Sequence, residues 1–367
     1  MKYRKEIDGL RALAVIPVIL FHAGFELFSG GFIGVDIFFV ISGYLITTIL
    51  IEDLENNRFS LVSFYERRAR RILPALFLII VFCIPFSLIL MLPNQMKDFS
   101  QSLIAVSFFV SNIFFWRESG YFSTEAEKMP LLHTWSLSVE EQFYIIFPIF
   151  LFCCWRFGKN RTFLFILFIT TCSFFLSEWG WRFKSIANFY LAPTRAWELF
   201  AGCIAAFIIQ SQGVRKNNFL SLLGLILIIF SIFTYDETTP FPSAYSLIPV
   251  LGVLLLVLFA CDDTLIGKIL SNNALVGIGL ISYSLYLWHQ PLFAFTRIFS
   301  NQNPSNLLMF IIILLSIIPA FLSWKYVEKP FRDKNIIKAR TILSFSILMM
   351  SIFIIFGLYG ILSDGIK

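Results

Sequence analysis

Apolar runs recur along almost the whole chain, and polar residues gather in short stretches between them. We place candidate spans near 8–28, 32–52, 72–92, 142–157, 162–178, 189–210, 218–234, 245–261, 274–297, 306–327 and 341–362. Many of these are long enough, as helices, to cross a hydrocarbon layer about 30 Å thick. The pattern predicts an all-α fold, a polytopic membrane helix bundle of about 10–11 transmembrane helices. A further apolar run, 102–116, is shorter and ambiguous.

Charge decides how that run is read. Segments 58–71, 156–161, 215–216 and 325–340 are strongly basic and, with Lys2, Arg4 and Lys5, belong on the cytoplasmic side. All of them reach that side only if 102–116 does not cross. It is then a short re-entrant or interfacial helix, and 117–141 stays outside or dips into the protein. The expected result is a multi-pass cell inner membrane protein with a cytoplasmic N-terminus and a periplasmic C-terminus. The stretch 10–28 carries Arg11 and His22 and no small-residue cleavage site follows it, so it reads as a retained first span.

Composition fits that solvent. The 367 residues are 58% hydrophobic and only 14% charged, with a mean hydropathy of +0.79. Soluble domains carry about 25% charged residues, so this chain lacks the polar surface to cover itself in water. The net charge of +6 does not point to nucleic acid, because the basic residues sit in loops between apolar runs. Six cysteines lie within or at the ends of apolar runs without metal-ligand spacing, and neither a disulfide framework nor a metal site is expected.

Ionisable groups inside such runs are costly and usually line a polar cavity or substrate path. Arg11 and His22 are eleven residues apart, so a helix carries both on one face, about 16 Å apart along its axis. An imidazole suits a general base that deprotonates a hydroxyl. Asp36 is an acid entering an apolar span rich in glycine, and reads as orienting either His22 or an arginine. Arg68 and Arg71, three apart before a span, form a fork suited to phosphate; anchoring to the cytoplasmic face is the plainer alternative. Residues 131–144 crowd His133, Trp135, Glu140, Glu141 and Tyr144 together, as a pocket wall or an aromatic belt. Arg195 and Glu198 read as a buried ion pair or a ligand contact, and His289 as structural or interfacial. No phosphate-binding glycine loop, nucleophile elbow or zinc-protease motif is present, which argues against a soluble hydrolase or ATPase.

Taken in order, these segments resemble the membrane-bound acyltransferase family 3, which contains bacterial O-antigen O-acetyltransferases. The resemblance rests on Ile7-Asp-Gly-Leu-Arg11, on Arg11 with His22, on Gly34-Val-Asp-Ile-Phe-Phe-Val-Ile-Ser-Gly-Tyr-Leu45 and on Arg68 with Arg71 before Pro74. It continues through Trp135-Ser-Leu-Ser-Val-Glu140-Glu-Gln-Phe-Tyr144, Thr194-Arg-Ala-Trp-Glu-Leu199 and Tyr283-Ser-Leu-Tyr-Leu-Trp-His289. It implies an acyltransferase membrane domain over 1–335, with an additional C-terminal span over 336–367. It also implies transfer of an acyl group, usually acetyl from acetyl-CoA, across the bilayer to a carbohydrate acceptor such as lipopolysaccharide O-antigen. By the same resemblance His22 is catalytic with Arg11 as its motif partner, Glu140 is an essential polar residue, and Arg68 and Arg71 meet the acyl-CoA donor; we count Asp36 with the catalytic candidates and Arg11 with the donor contacts. Ser42, Tyr44, Trp135, Glu141, Tyr144, Arg195 and Glu198 are further pocket candidates. Some members carry a periplasmic SGNH-type domain after an extra span; the sequence here holds that span but not that domain. The rival class is a transporter exporting a sugar or acyl compound, although no inverted repeat supports it.

Overall fold

The computed structural model describes residues 3–118, 121, 125–300 and 304–365. Lys2, positions 119–120 and 122–124 of the 117–141 segment, and the terminal 366–367 lie outside the described residues. Among the described residues the chain is helical and contains no strand. Helix α1 (Lys5–His22) leads through a 3-10 run at Glu26–Ile33 to α2 (Gly34–Glu55) and α3 (Leu61–Leu90). Next come α4 (Pro93–Ser107), α5 (Ser111–Glu118), α6 (Thr134–Trp155), α7 (Lys159–Phe183), α8 (Ser185–Tyr190) and α9 (Ala192–Gln212). They are followed by α10 (Asn218–Thr234), α11 (Leu247–Phe259), α12 (Leu265–Leu270), α13 (Asn273–Ser300), α14 (Asn306–Ser323), α15 (Lys329–Arg332) and α16 (Ala339–Leu362).

Several boundaries differ from the apolar pattern, each for a local reason. The run 8–28 stops as a helix at His22, because Gly24 adopts φ +85° and turns the chain. The basic stretch 58–71 is not a loop: α3 starts at Leu61, with the Ser60 side chain accepting the Ser63 N–H as an N-cap. The run 102–116 is two helices rather than one. Its break is a paired turn in which Val110 N–H bonds the Ala105 carbonyl and Phe109 N–H bonds that of Val106. Phe109 takes the left-handed position at φ 55°, where glycine is usual. The run 189–210 is divided at Leu191, and Pro193 opens the helix that follows.

Seven helical stretches among the described residues are long and apolar enough to cross a membrane, and two shorter apolar helices accompany them. Neither α4 nor α5 is among them. Two other expected spans, α1 and α13, are too polar to be counted that way. The first carries Lys5, Glu6, Asp8 and Arg11, and the second His289, Gln290 and Arg297. The outward rows Leu164, Phe168 and Phe175 on α7 and Leu314, Leu315 and Ile318 on α14 are exposed, as lipid-facing positions should be.

The helices group into two compact units. The first holds residues up to Phe21, Phe25–Phe59 and Val139–Ser282; the second holds His22–Gly24, Ser60–Ser138 and Tyr283–Lys367. In the first, α2 and α9 lie backbone to backbone. A Cβ on Gly43 would sit 1.8 Å from the Leu199 carbonyl oxygen, and one on Gly202 would sit 2.0 Å from that of Val40. Small residues allow that approach where lipid supplies no hydrophobic drive between helices. In the second unit α16 packs on α3 and α4, and Lys97 bonds Asp364 at 2.9 Å.

Candidate functional site

His22 is the last residue of α1, so its ring projects where the helix ends. In the second unit three side chains gather at it. The Tyr121 hydroxyl lies 2.6 Å from His22 Nε2, and His289 Nε2 lies 3.2 Å from His22 Nδ1. His133 packs its ring edge-on to His289, with centroids 5.6 Å apart. His289 and His133 are fully buried, whereas His22 is half-buried. Tyr121 itself stands edge-on to Trp135, the centroids being 6.0 Å apart.

Hydrogen-bond chemistry fixes the direction of this chain for neutral rings. His289 Nδ1 faces the carbonyl oxygen of Tyr286, one turn back on α13. A carbonyl only accepts, so that nitrogen carries the hydrogen and His289 Nε2 is the acceptor. His22 Nδ1–H then donates to it, and the His22 lone pair rests on Nε2. Tyr121 donates its O–H there. Around this line, Ser136 Oγ meets the Tyr286 hydroxyl at 2.7 Å, and the Tyr286 hydroxyl donates to the His133 carbonyl at 3.0 Å. Arg297 donates to the His22 carbonyl at 2.6 Å and pairs with Glu127 at 3.1 Å. Chemically, the arrangement presents a basic nitrogen to a hydroxyl and backs it with a second imidazole.

A cavity of about 190 Å³ lies in the same unit, lined by Phe99, Phe114 and Phe115 together with Gln95, Asp98, Ser102, Glu125 and Lys128. Its wall at 125–131 also serves the histidine cluster. From that segment Glu127 holds Arg297, and the Met129 carbonyl accepts from Gln290 beside His289 at 3.2 Å. Asp98 is half-buried on α4, and that burial raises its carboxyl above the ordinary range while Lys97 opposes the shift.

Arg68 and Arg71 stand one turn apart on α3, half-buried, in the second unit. The Arg68 guanidinium lies 5.8 Å from the Phe64 ring centre. Arg70 between them is spoken for: it is buried, bonds Glu66 at 2.8 Å and donates to the Phe331 carbonyl. The four arginines of the run therefore differ: Arg70 is buried on its partners, whereas Arg67, which bonds Ser63 at 3.2 Å, Arg68 and Arg71 are half-buried.

The remaining candidates lie in the first unit. Arg11 pairs with Asp8 at 3.2 Å, and Asp8 also accepts from Tyr3 at 2.6 Å. That bond, with burial and the aspartate charge, pushes the Tyr3 phenol up to about 12. Asp36 takes an arginine, the second of the partners expected for it: Arg195 lies 3.2 Å from Asp36 and 3.1 Å from Glu198, all three sealed from solvent. Ser42 donates to Glu140 at 2.6 Å, and both are half-buried. Tyr44 accepts from Arg4 at 2.9 Å, and Glu141 and Tyr144 are buried. Two members of the His22 cluster escaped the sequence reading. Tyr121 carries no local sequence signal, and the sequence reads His289 as structural or interfacial. The signal available for His289 was the one used for His22, an ionisable ring inside an apolar run.

The bundle that carries this cluster is all-helical, with several helices long and apolar enough to cross a membrane, and comparison with known sequences names its family. The acyltransferase domain matches residues 4–325, and the chain belongs to that family. It is 36% identical over 355 residues to the peptidoglycan O-acetyltransferase OatA of Listeria monocytogenes, covering 92% of this chain and 57% of the relative. It is 32% identical over 389 residues to the O-acetyltransferase OatA of Staphylococcus aureus, covering 98% of this chain and 64% of that one. The chain thus spans about three-fifths of the length of these relatives. No solved structure matches it.

Proposed function

We propose that this protein moves an acetyl group from acetyl-CoA to a hydroxyl of a cell-envelope carbohydrate, with His22 as general base. The observation that carries this reading is the 2.6 Å approach of a hydroxyl to His22 Nε2, in a chain of the acyltransferase family. In the step we envisage, Nε2 takes the acceptor O–H proton as that oxygen bonds the thioester carbonyl carbon. The carbon–sulfur bond then breaks, and the leaving coenzyme A thiolate recovers the proton from His22. Tyr121 marks the position from which a hydroxyl is activated.

Arg68 and Arg71 are the proposed contacts for the donor phosphates, on the cytoplasmic side where the basic segments belong. The cavity walled by 125–131 is the proposed acceptor pocket. Its phenylalanines suit the apolar face of a sugar ring, and Gln95, Asp98 and Glu125 suit its hydroxyls. Because the Listeria relative is named for peptidoglycan, we place that polymer ahead of lipopolysaccharide O-antigen as acceptor. The test offers labelled acetyl-CoA to membranes containing the full chain, with peptidoglycan or O-antigen fragments. We expect label in an alkali-labile ester on the glycan, and a loss of about 10²–10⁴-fold in His22→Ala. Full acetylation by His22→Ala ends the proposal. Movement of unmodified sugar across the bilayer without transfer would favour the exporter instead.

A further inference from the structure

We propose that His289 is a positioning residue that sets the tautomer of His22, a proposal that rests on the reading of His22 as the base. The argument begins at the Tyr286 carbonyl, which faces His289 Nδ1. It forces a hydrogen onto that nitrogen and leaves His289 Nε2 as a bare acceptor. That acceptor sits 3.2 Å from His22 Nδ1. The only pairing that fits is His22 Nδ1–H donating to it, which leaves the lone pair on His22 Nε2, facing Tyr121 at 2.6 Å. Were His22 in the other tautomer, two bare nitrogens would face each other across 3.2 Å and a ring N–H would point at the Tyr121 hydroxyl.

His289 also fits the role after proton transfer. When Nε2 takes a proton, the imidazolium keeps its Nδ1–H on a neutral acceptor, so charge is met without a buried carboxylate. Two of the neighbouring groups are engaged at other atoms. Arg297 is bound to the His22 backbone carbonyl and to Glu127, and His133 contacts His289 through its ring edge. His289 is completely buried, so solvent does not take the place of its ring nitrogen.

The chain has three histidines, so each imidazole resolves separately in nitrogen-15 spectra of histidine-labelled full-length protein in detergent. Wild type is expected to show His22 protonated at Nδ1 and bare at Nε2. In His289→Ala that signature is expected to be lost or mixed, and transfer to fall about 10–100-fold in kcat with the donor KM unchanged. His289→Gln, whose amide oxygen reaches the same place, should recover most of the rate and the Nδ1–H signal. A His22 ring protonated at Nε2 in wild type would overturn the proposal. So would an unchanged tautomer and kcat in His289→Ala, or equal losses in Ala and Gln variants. His22→Ala, run alongside, separates the two ideas: if it transfers normally, the base assignment itself has failed.

Discussion

Asp36, Arg195 and Glu198 place an arginine between two carboxyl groups with each side chain at most 1% exposed, whereas the His22 cluster is made of rings and a phenol and leaves His22 half-buried. Arg195 is further enclosed by the rings of Phe39, Phe189 and Phe241, each within 5.7 Å of its guanidinium carbon. The first cluster satisfies charge by sealing it among partners. The second aims one nitrogen lone pair at a hydroxyl and leaves the ring that carries it half-buried. Asp36, Arg195, Glu198, His22 and His289 all lie inside helices or at their ends, so polarity in an apolar run does not by itself say which is chemistry. What separates them is that every member of the first is sealed from solvent, whereas His22 in the second is half-buried.

The largest test of that contrast is Arg195→Met. Removing the cation leaves two buried carboxyl groups facing each other, and breaking a buried pair costs about 3–5 kcal/mol. We expect a clear drop in the thermal midpoint of the detergent-solubilised protein, and poor yield. A variant with a wild-type midpoint that has lost only acetyl transfer would move Arg195 into the active machinery and undo the distinction.

A smaller effect is expected for Tyr121→Phe, which keeps the ring against Trp135 and deletes the hydroxyl at His22. Stability should change by no more than about 1 kcal/mol, while transfer falls about 10–100-fold. If kcat is unchanged, the hydroxyl is a bystander and the second cluster loses its claim to chemistry.

Much of this was readable before any fold was known, and the gaps have physical causes. Helical periodicity put Arg11 and His22 on one helix and Arg68 one turn from Arg71, because those are short-range relations that the α-helix dictates. Periodicity is silent about partners. His22 meets Tyr121 across 99 residues of sequence and His289 across 267, and neither spacing leaves a local trace. Tyr121 lies in a polar stretch between helices, where there is no repeat to read. The break at Phe109 was hidden for another reason, since an apolar residue holds a position where a turn normally shows glycine.

The basic run on α3 repeats the same contrast on a smaller scale. Arg70 is buried on Glu66, and Arg71 one residue on is half-buried. Arg71→Ala should raise the KM for acetyl-CoA about tenfold, equivalent to about 1.4 kcal/mol, and leave the thermal midpoint in place. Arg70→Ala should do the reverse. Exchange of those two outcomes would show that the structural and ligand-facing roles have been assigned the wrong way round.

The smallest effect belongs to Asp98 in the cavity wall, and it tests whether a half-open site tolerates a charge that a sealed one does not. Burial raises its folded-state carboxyl above the ordinary value, near 3.9 in an unfolded chain. Below that value both states are protonated and the carboxyl contributes no penalty. As pH rises the unfolded chain ionises first, so wild-type stability declines until the folded carboxyl has ionised too, and the deficit persists above that point. Asp98→Asn removes the penalty without changing shape. It should therefore match wild type at pH 3 and exceed it slightly at pH 7, by no more than about 0.5 kcal/mol because the group is half-open. Lower stability of the amide at neutral pH would mean that Asp98 serves there as a bound anion, and the cavity would have to be regrouped with the sealed cluster.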